Sequence, residues 1–295
     1  NHCSREGARV MRVAILNHDP AGEGGDQVAL DYLIPALRRL KIEVEHVWGG
    51  GLAGKLARFD LAHVYHINCC HCQVNFDAIA KVCLPYVVTP IFYPEIHEAP
   101  RDRQTAWLAN ARAVMPFSRA EMIELVCELG RQFNFWIIPN GTDPKFHSEP
   151  SVDRVGVCSE DWNGTKFTDK IQAACDELLT PFTRIEKTPH EEMPATLRKF
   201  RAYASASQSD RMSLSIGEAL CSGCRVLSST ANRGNEWYPG VRTIDPLAPH
   251  SVWMERIMDL CRAPEWDWRP NVAARELTWD LVAKQVEEVY CQAMR

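Results

Sequence analysis

Nowhere does the chain string together the ~18 or more apolar residues that a membrane-spanning helix requires, so no bilayer span is expected. It also lacks a basic excess. Its 33 Lys and Arg stand against 38 Asp and Glu, giving a net charge of −5 and a pI of about 6.1. That balance excludes a global positive field for nucleic acid or an anionic membrane and leaves room only for a local basic patch. No N-terminal segment carries the long apolar core of a secretory signal, and the twelve cysteines are scattered along the chain. Reduced thiols and a cytoplasmic setting are therefore expected in place of a disulfide framework. Internal repeats and low-complexity segments are absent as well. What is present is an ordinary globular composition, 46% hydrophobic and 24% charged over 295 residues, enough for two domains of about 150 residues each. The first ten residues, NHCSREGARV, precede a Met-Arg-Val-Ala-Ile-Leu run and are set aside as a leader, the fold being expected to start at Met11.

From Met11 the elements alternate as in an α/β protein. Residues 12–17 form a buried-type strand, followed by a glycine-rich loop and an amphipathic helix over 27–40 that turns Leu30, Leu33, Ile34 and Leu37 inward. Gly22, Gly24 and Gly25 would let backbone N–H groups approach an anion at that helix start. The G-x-G-x-x-G spacing is missing, and a tight turn without a ligand accounts for the glycines equally well. Strands follow at 43–48, 61–67 and 84–90, then helices at 103–111 and 119–129, the second capped by Ser118. Beyond a linker at 147–151, strands open at Arg154 and at Phe182. Helices pass through Ile171 and Ala174 and over 190–198. The most informative stretch runs from Tyr203 to Ser229 and reads as strand, polar loop, helix ending at Gly223, and strand. It places Asp210 in the loop at the carboxyl end of a parallel strand, where open α/β sheets bind ligands, and Glu218 on the helix that leaves it. Helices at 251–261 and 276–294 close the chain.

Six potential metal ligands fall between His63 and Cys72, namely His63, His66, Cys69, Cys70, His71 and Cys72. Such density suggests zinc. Side chains alternate along a strand, however, and no distant matching Cys-x2-Cys pair completes a set. Buried thiols with a single histidine facing a cleft are preferred here over a metal site.

Three segments together carry a family resemblance. Asp210-x7-Glu218 continues as Ala-Leu-Cys-Ser-Gly-Cys-Arg-Val-Leu-Ser-Ser, residues 136–146 read Trp-Ile-Ile-Pro-Asn-Gly-Thr-Asp-Pro-Lys-Phe, and residues 60–66 read Asp-Leu-Ala-His-Val-Tyr-His. These resemble the E-x7-E, P-N-G-V-D and D-V-V-H-x-H segments of family-four retaining glycosyltransferases (glycosyl transferases group 1). The resemblance implies the GT-B fold, an α/β architecture of two Rossmann-like domains facing each other across a cleft. Residues 11–147 would be the acceptor side and 151–275 the donor side, with a terminal helix at 276–295 packing back on the first domain. It implies a hexosyltransferase-type enzyme that moves a sugar from a nucleotide-diphosphate sugar, UDP- or GDP-linked, to an unidentified acceptor with retention of configuration. Asp210 would meet the sugar hydroxyls and His66 the acceptor, both as catalytic residues. Glu218 would accept from the ribose, Gly24 and Gly25 would border the donor phosphates, and Lys166 would face the diphosphate. The amides of Arg211, Met212, Ser213 and Leu214 would complete the phosphate site. No cofactor and no obligatory metal are implied.

The chain departs from the family at three places. The first acid is Asp, Ile91 stands where T-x-H has its histidine with His97 the nearby substitute, and Asp161 occupies the arginine position of R-x4-K, where Arg211 or another base would have to compensate. Alternative readings are a non-catalytic GT-B protein that binds a nucleotide or sugar, another GT-B enzyme such as an epimerase or phosphorylase, and an enzyme acting on modified nucleic-acid bases. Nothing in the sequence marks a lysine-held pyridoxal phosphate for a phosphorylase, and the acidic balance disfavours nucleic acid.

Overall fold

The computed structural model describes residues 10–18, 24–68, 71–96, 98–149, 153–161, 166–263 and 266–295. Gly22, Cys69, Cys70 and His97, together with the side chain of His71, lie outside the described part. The chain divides into two compact units, residues 1–138 with 280–295, and residues 139–279.

The first unit alternates β1 (Arg12–Leu16), α1 (Gly25–Arg39), β2 (Glu43–Val47), α2 (Leu52–Leu56), β3 (Leu61–Tyr65), α3 (His71–Val82), β4 (Tyr86–Thr89), α4 (Arg101–Asn110), β5 (Ala113–Val114) and α5 (Arg119–Leu129). All strands pair in parallel in the order β2-β1-β3-β4-β5. Strands covered on both faces need continuous apolar runs, which is why Arg-Val-Ala-Ile-Leu and Leu-Ala-His-Val-Tyr are buried almost throughout. Helix α5 starts where expected, because the Ser118 side chain accepts from the Glu121 amide, and it ends at Gly130 with φ +64°, a left-handed cap.

The second unit follows the same plan: β6 (Val157–Glu160), α6 (Asp169–Glu177), β7 (Phe182–Ile185), α7 (Met193–Leu197), β8 (Ala202–Ala204), α8 (Leu214–Cys221), β9 (Arg225–Ser229), β10 (Arg242–Ile244), α9 (His250–Arg262) and α10 (Arg269–Glu276). Its parallel sheet has the order β10-β9-β8-β6-β7. Counted by appearance within each unit, both sheets have the doubly wound order 2-1-3-4-5. The topological switch, where such sheets bind ligands beyond the strand ends, therefore lies between β1 and β3 in the first unit and between β6 and β8 in the second. The last helix, α11 (Trp279–Ala293), belongs from Asp280 onward to the first unit, where Val282, Ala283, Val286, Val289 and Tyr290 are buried.

Two sequence expectations differ from the structure. The segment from Trp136 is irregular, with an isolated bridge joining Val114 to Phe135 just before it and a short 3-10 turn at Pro144–Phe146. The helix expected over 276–294 begins only at Trp279, Glu276 being the last residue of α10; at the break between them the Leu277 carbonyl accepts the Thr142 amide at 2.7 Å. The same bond, with the Thr142 hydroxyl donating to the Ala274 carbonyl at 2.6 Å, ties residues 139–146 into the second unit, so the division falls at Ile138/Pro139 and not at 147–151. Strand β10 has no counterpart in the sequence reading.

Candidate functional site

In the second unit, the loops leaving β6 and β8 converge at the switch point. Lys166 Nζ lies 2.9 Å from Asp210 Oδ2, a charge-assisted hydrogen bond between two residues 44 positions apart. Burial alone would lower the Lys166 pKa, but the carboxylates of Asp210, Glu160 and Asp161 outweigh it and hold the ammonium above its ordinary value. Glu160, at the end of β6, is pushed up by burial against opposing contributions from a Ser215 hydrogen bond and Lys166. On α8, Glu218 Oε1 lies 2.5 Å from His190 Nε2, and His190 in turn packs against Phe146, their ring centroids 5.5 Å apart.

The loop before α8 is fastened from behind. Asn232 Oδ1 accepts the Ser213 amide at 3.4 Å and Asn140 donates through its side chain to the Met212 carbonyl at 3.1 Å. Of the four amides expected at a phosphate, that of Ser213 is therefore already engaged. A Cβ at Gly234 would fall 2.5 Å from Met212 Cγ, so glycine there is what lets the loop close down. Asp161 has a different job from the arginine it replaces. Its carboxylate accepts the Thr168 hydroxyl at 2.8 Å and the Lys166 amide at 3.2 Å, and it faces Arg184 at 3.5 Å. It holds the backbone of Lys166 in place, and it is buried while doing so.

In the first unit, the loops after β1 and β3 meet at the corresponding place. His66 Nε2 lies 3.2 Å and His18 Nδ1 3.3 Å from the same oxygen, Asp26 Oδ2, which also accepts from Asn17 Nδ2 at 2.7 Å. Burial would raise the Asp26 carboxyl, but hydrogen bonds from His66 and Asn17 and the two histidine charges hold it far below the usual carboxylate range. His66 sits at φ +69°, a left-handed backbone rare outside glycine. Gly24 earns its place sterically, since a Cβ there would lie 2.3 Å from Asp26 Oδ1, whereas Gly25 has open space around it. His63, by contrast, is sealed inside, with Nδ1 at 2.7 Å from the Tyr290 hydroxyl and Nε2 at 2.8 Å from the Thr89 hydroxyl. Burial pushes its pKa down to about 3. Cys83, Cys127, Cys158, Cys175, Cys221, Cys224 and Cys261 are free thiols, and Cys72 is buried.

The structure brings Lys166 against Asp210 and His66 against Asp26, two pairings the sequence did not link. Asp26, His18, His190 and Asn232 were missed. Each is an ordinary polar residue near a helix start or in a loop, and only Asp26, in the first turn of α1 just after the glycines, offered a local signal.

Neither family models nor curated protein sequences give a match to this chain. Solved structures do. Sucrose-phosphate synthase (tll1590) from Thermosynechococcus elongatus superposes with a TM-score of 0.79 at 15% identity, covering 96% of this chain and 98% of that one. Anabaena Alr3699/HepE in complex with UDP gives 0.72 at 14% identity over 95% and 100% of the two chains. The lipopolysaccharide outer core galactosyltransferase WaaB in its apo form gives 0.70 at 12% identity over 95% and 99%. The chain thus shares their GT-B fold, built here from two Rossmann-like units with parallel five-stranded sheets.

Proposed function

We propose that the protein is a glycosyltransferase that takes a hexose from a nucleotide-diphosphate sugar, UDP-linked in the first instance, with retention at the anomeric carbon. The observation that carries this reading is the Lys166–Asp210 pair at the switch point of the second sheet, with Glu218 one turn into α8. Structures of the same fold at low identity are seen with UDP and with UDP-glucose, which supports the donor class. An ammonium has three donors, so Lys166 can hold Asp210 and a diphosphate oxygen at once. It then takes up charge as the sugar–phosphate bond breaks, aided by the amides of Arg211, Met212 and Leu214 at the start of α8. Asp210 meets the sugar hydroxyls. Glu218, steadied by His190, accepts from the ribose with its remaining lone pairs. His66, held by Asp26, faces the acceptor in the first unit.

Because cations and amides carry the leaving-group charge, the donor site as proposed uses no metal, and nucleotide affinity should be the same with and without chelator. The single most informative experiment is a screen for UDP or GDP release from a panel of nucleotide-sugars, with NMR of the product to read anomeric configuration. Release from one donor, accelerated by an acceptor, supports the proposal. Binding without any release would instead support a non-catalytic nucleotide-sugar protein, a reading that Ile91 at the family's histidine position favours.

A further inference from the structure

We propose that His18, Asp26 and His66 form a site for one divalent transition-metal ion of the Zn²⁺ class, open to an oxygen ligand from a second molecule. Among the described residues these are the ones whose histidine nitrogens and carboxylate oxygen converge, all within 4.8 Å of one another. Two histidines and one carboxylate are a donor set that zinc and its neighbours favour, leaving at least one coordination position unfilled.

Four observations converge on this reading. Metal bonds of about 2.0–2.2 Å at tetrahedral angles place neighbouring ligand atoms about 3.3–3.5 Å apart. The spacings to Asp26 Oδ2 are 3.3 Å from His18 and 3.2 Å from His66, longer than the ~2.7–2.9 Å of a charge-assisted hydrogen bond between such groups. Second, the carboxylate has an outer partner of the kind that orients metal ligands. Asn17, only 3% exposed, donates to Asp26 Oδ2 at 2.7 Å, while its Oδ1 is buried with no hydrogen-bond partner among the described residues. Third, the backbone is shaped for the cluster. His66 holds a left-handed conformation rarely adopted outside glycine, and Gly24 vacates the volume that Asp26 Oδ1 fills. Fourth, the side chains of His18, His66 and Asp26 are 31%, 19% and 11% exposed, so an ion and an additional ligand can reach them.

His63 and Cys72, which made the sequence look metal-binding, do not take part. His63 is consumed by the Tyr290 and Thr89 hydroxyls. The ion proposed here uses only His66 from that string and recruits its other ligands from the loop after β1 and the start of α1. It lies in the first unit, and it departs from the metal-free expectation for the protein as a whole. An acceptor bearing a hydroxyl, carboxylate or phosphate oxygen could occupy the open position. The inference needs neither donor nor acceptor for its test, so it stands or falls separately from the glycosyltransferase reading.

The full chain, stripped with EDTA and dialysed, would be titrated with Zn²⁺ alone by calorimetry, and with Co²⁺ to read ligand geometry by visible absorption. One equivalent of Zn²⁺ and a Co²⁺ spectrum characteristic of low coordination number are expected. His18→Gln, at a partly exposed position with little packing to lose, should weaken binding at least 10-fold, and Asp26→Asn and His66→Gln should do the same. Asn17→Ala, acting through Asp26, should weaken it about 10–100-fold. The Cys69→Ser/Cys70→Ser double variant should keep its one equivalent. No uptake by the parent, full affinity in folded His18→Gln, or loss of the ion in the double cysteine variant would each overturn the assignment.

Discussion

Asp210 and Glu218 are both carboxylates held by a base, but the proposed donor loads them differently. A group that touches the ribose is engaged equally before and during transfer, whereas one that touches the migrating sugar feels its distortion. Glu218→Gln should therefore chiefly raise the KM for donor, and Asp210→Asn should chiefly lower kcat, each by about 1–3 kcal/mol. Steady-state kinetics on folded variants decide the matter, and unaltered transfer by both would remove the D-x7-E pair from the mechanism. These two acids, with Lys166, were legible because each sits in one local segment whose pattern survives by itself. Their partners were not. His190 reaches Glu218 from 28 residues away and Asp26 reaches His66 from 40, and no local spacing encodes either contact. His63 looked like a ligand and is instead a buried neutral imidazole whose pKa is pushed down to about 3 from an ordinary 6.5. The unfolded chain thus takes up a proton first as pH falls through 6.5, so folding stability is lost below that value and the loss levels off only near 3. Between pH 7 and 5 this group costs about 2 kcal/mol. Denaturant titrations at the two pH values should show that loss in the parent and a smaller one in His63→Gln, which titrates nothing; equal slopes would mean that another group is responsible.

At the scale of elements, α8 shows how closely packing and site are coupled. Every residue from Ser215 to Cys221 is buried, and Gly223 ends the helix with φ +77°, the left-handed conformation a C′ glycine supplies. Gly217 lies inside this helix, where alanine ordinarily stabilises by about 1 kcal/mol. Here its Cβ would stand 2.7 Å from the hydroxyl of Tyr238 and 3.1 Å from Thr142 Cγ2, and Tyr238 is only 2% exposed. Overpacking of that kind typically costs about 1–3 kcal/mol, so Gly217→Ala should lower the melting temperature, and adding Tyr238→Phe should recover part of the loss. A rise in Tm for the single variant would refute this account of the packing. The helix and its flanking strands were readable because strong periodicities change sharply at polar or glycine residues. Strand β10, only Arg-Thr-Ile, has no pattern to read, and the break between α10 and α11 accepts a bond from Thr142, over a hundred residues earlier.

For the molecule as a whole, repetition of one strand order in both units places a candidate site at each switch point, Lys166 with Asp210 in one and His18, Asp26 and His66 in the other. The first unit is nevertheless not continuous in sequence, since it needs residues 280–295 from the far end of the chain. That segment buries Val282, Ala283, Val286, Val289 and Tyr290 along one face of α11, and the Tyr290 hydroxyl satisfies His63 under β3. Removing it exposes four large apolar side chains, each worth about 1.5–3 kcal/mol, an upper bound that is still comparable to the ~5–15 kcal/mol that holds a domain together. It also leaves His63 buried with one nitrogen unsatisfied. Truncation after Trp279 should therefore abolish hydrogen-exchange protection in β1, β3 and β4 while leaving β8 and β9 protected, because the second unit keeps all of its own residues, including the Thr142–Leu277 tie. Tyr290→Phe, which deletes only the hydroxyl, should weaken the first sheet by about 1–3 kcal/mol without unfolding it. Full protection of β1 and β3 in the truncated chain would show that α11 merely rests on the first unit and that the sheet carries its own core.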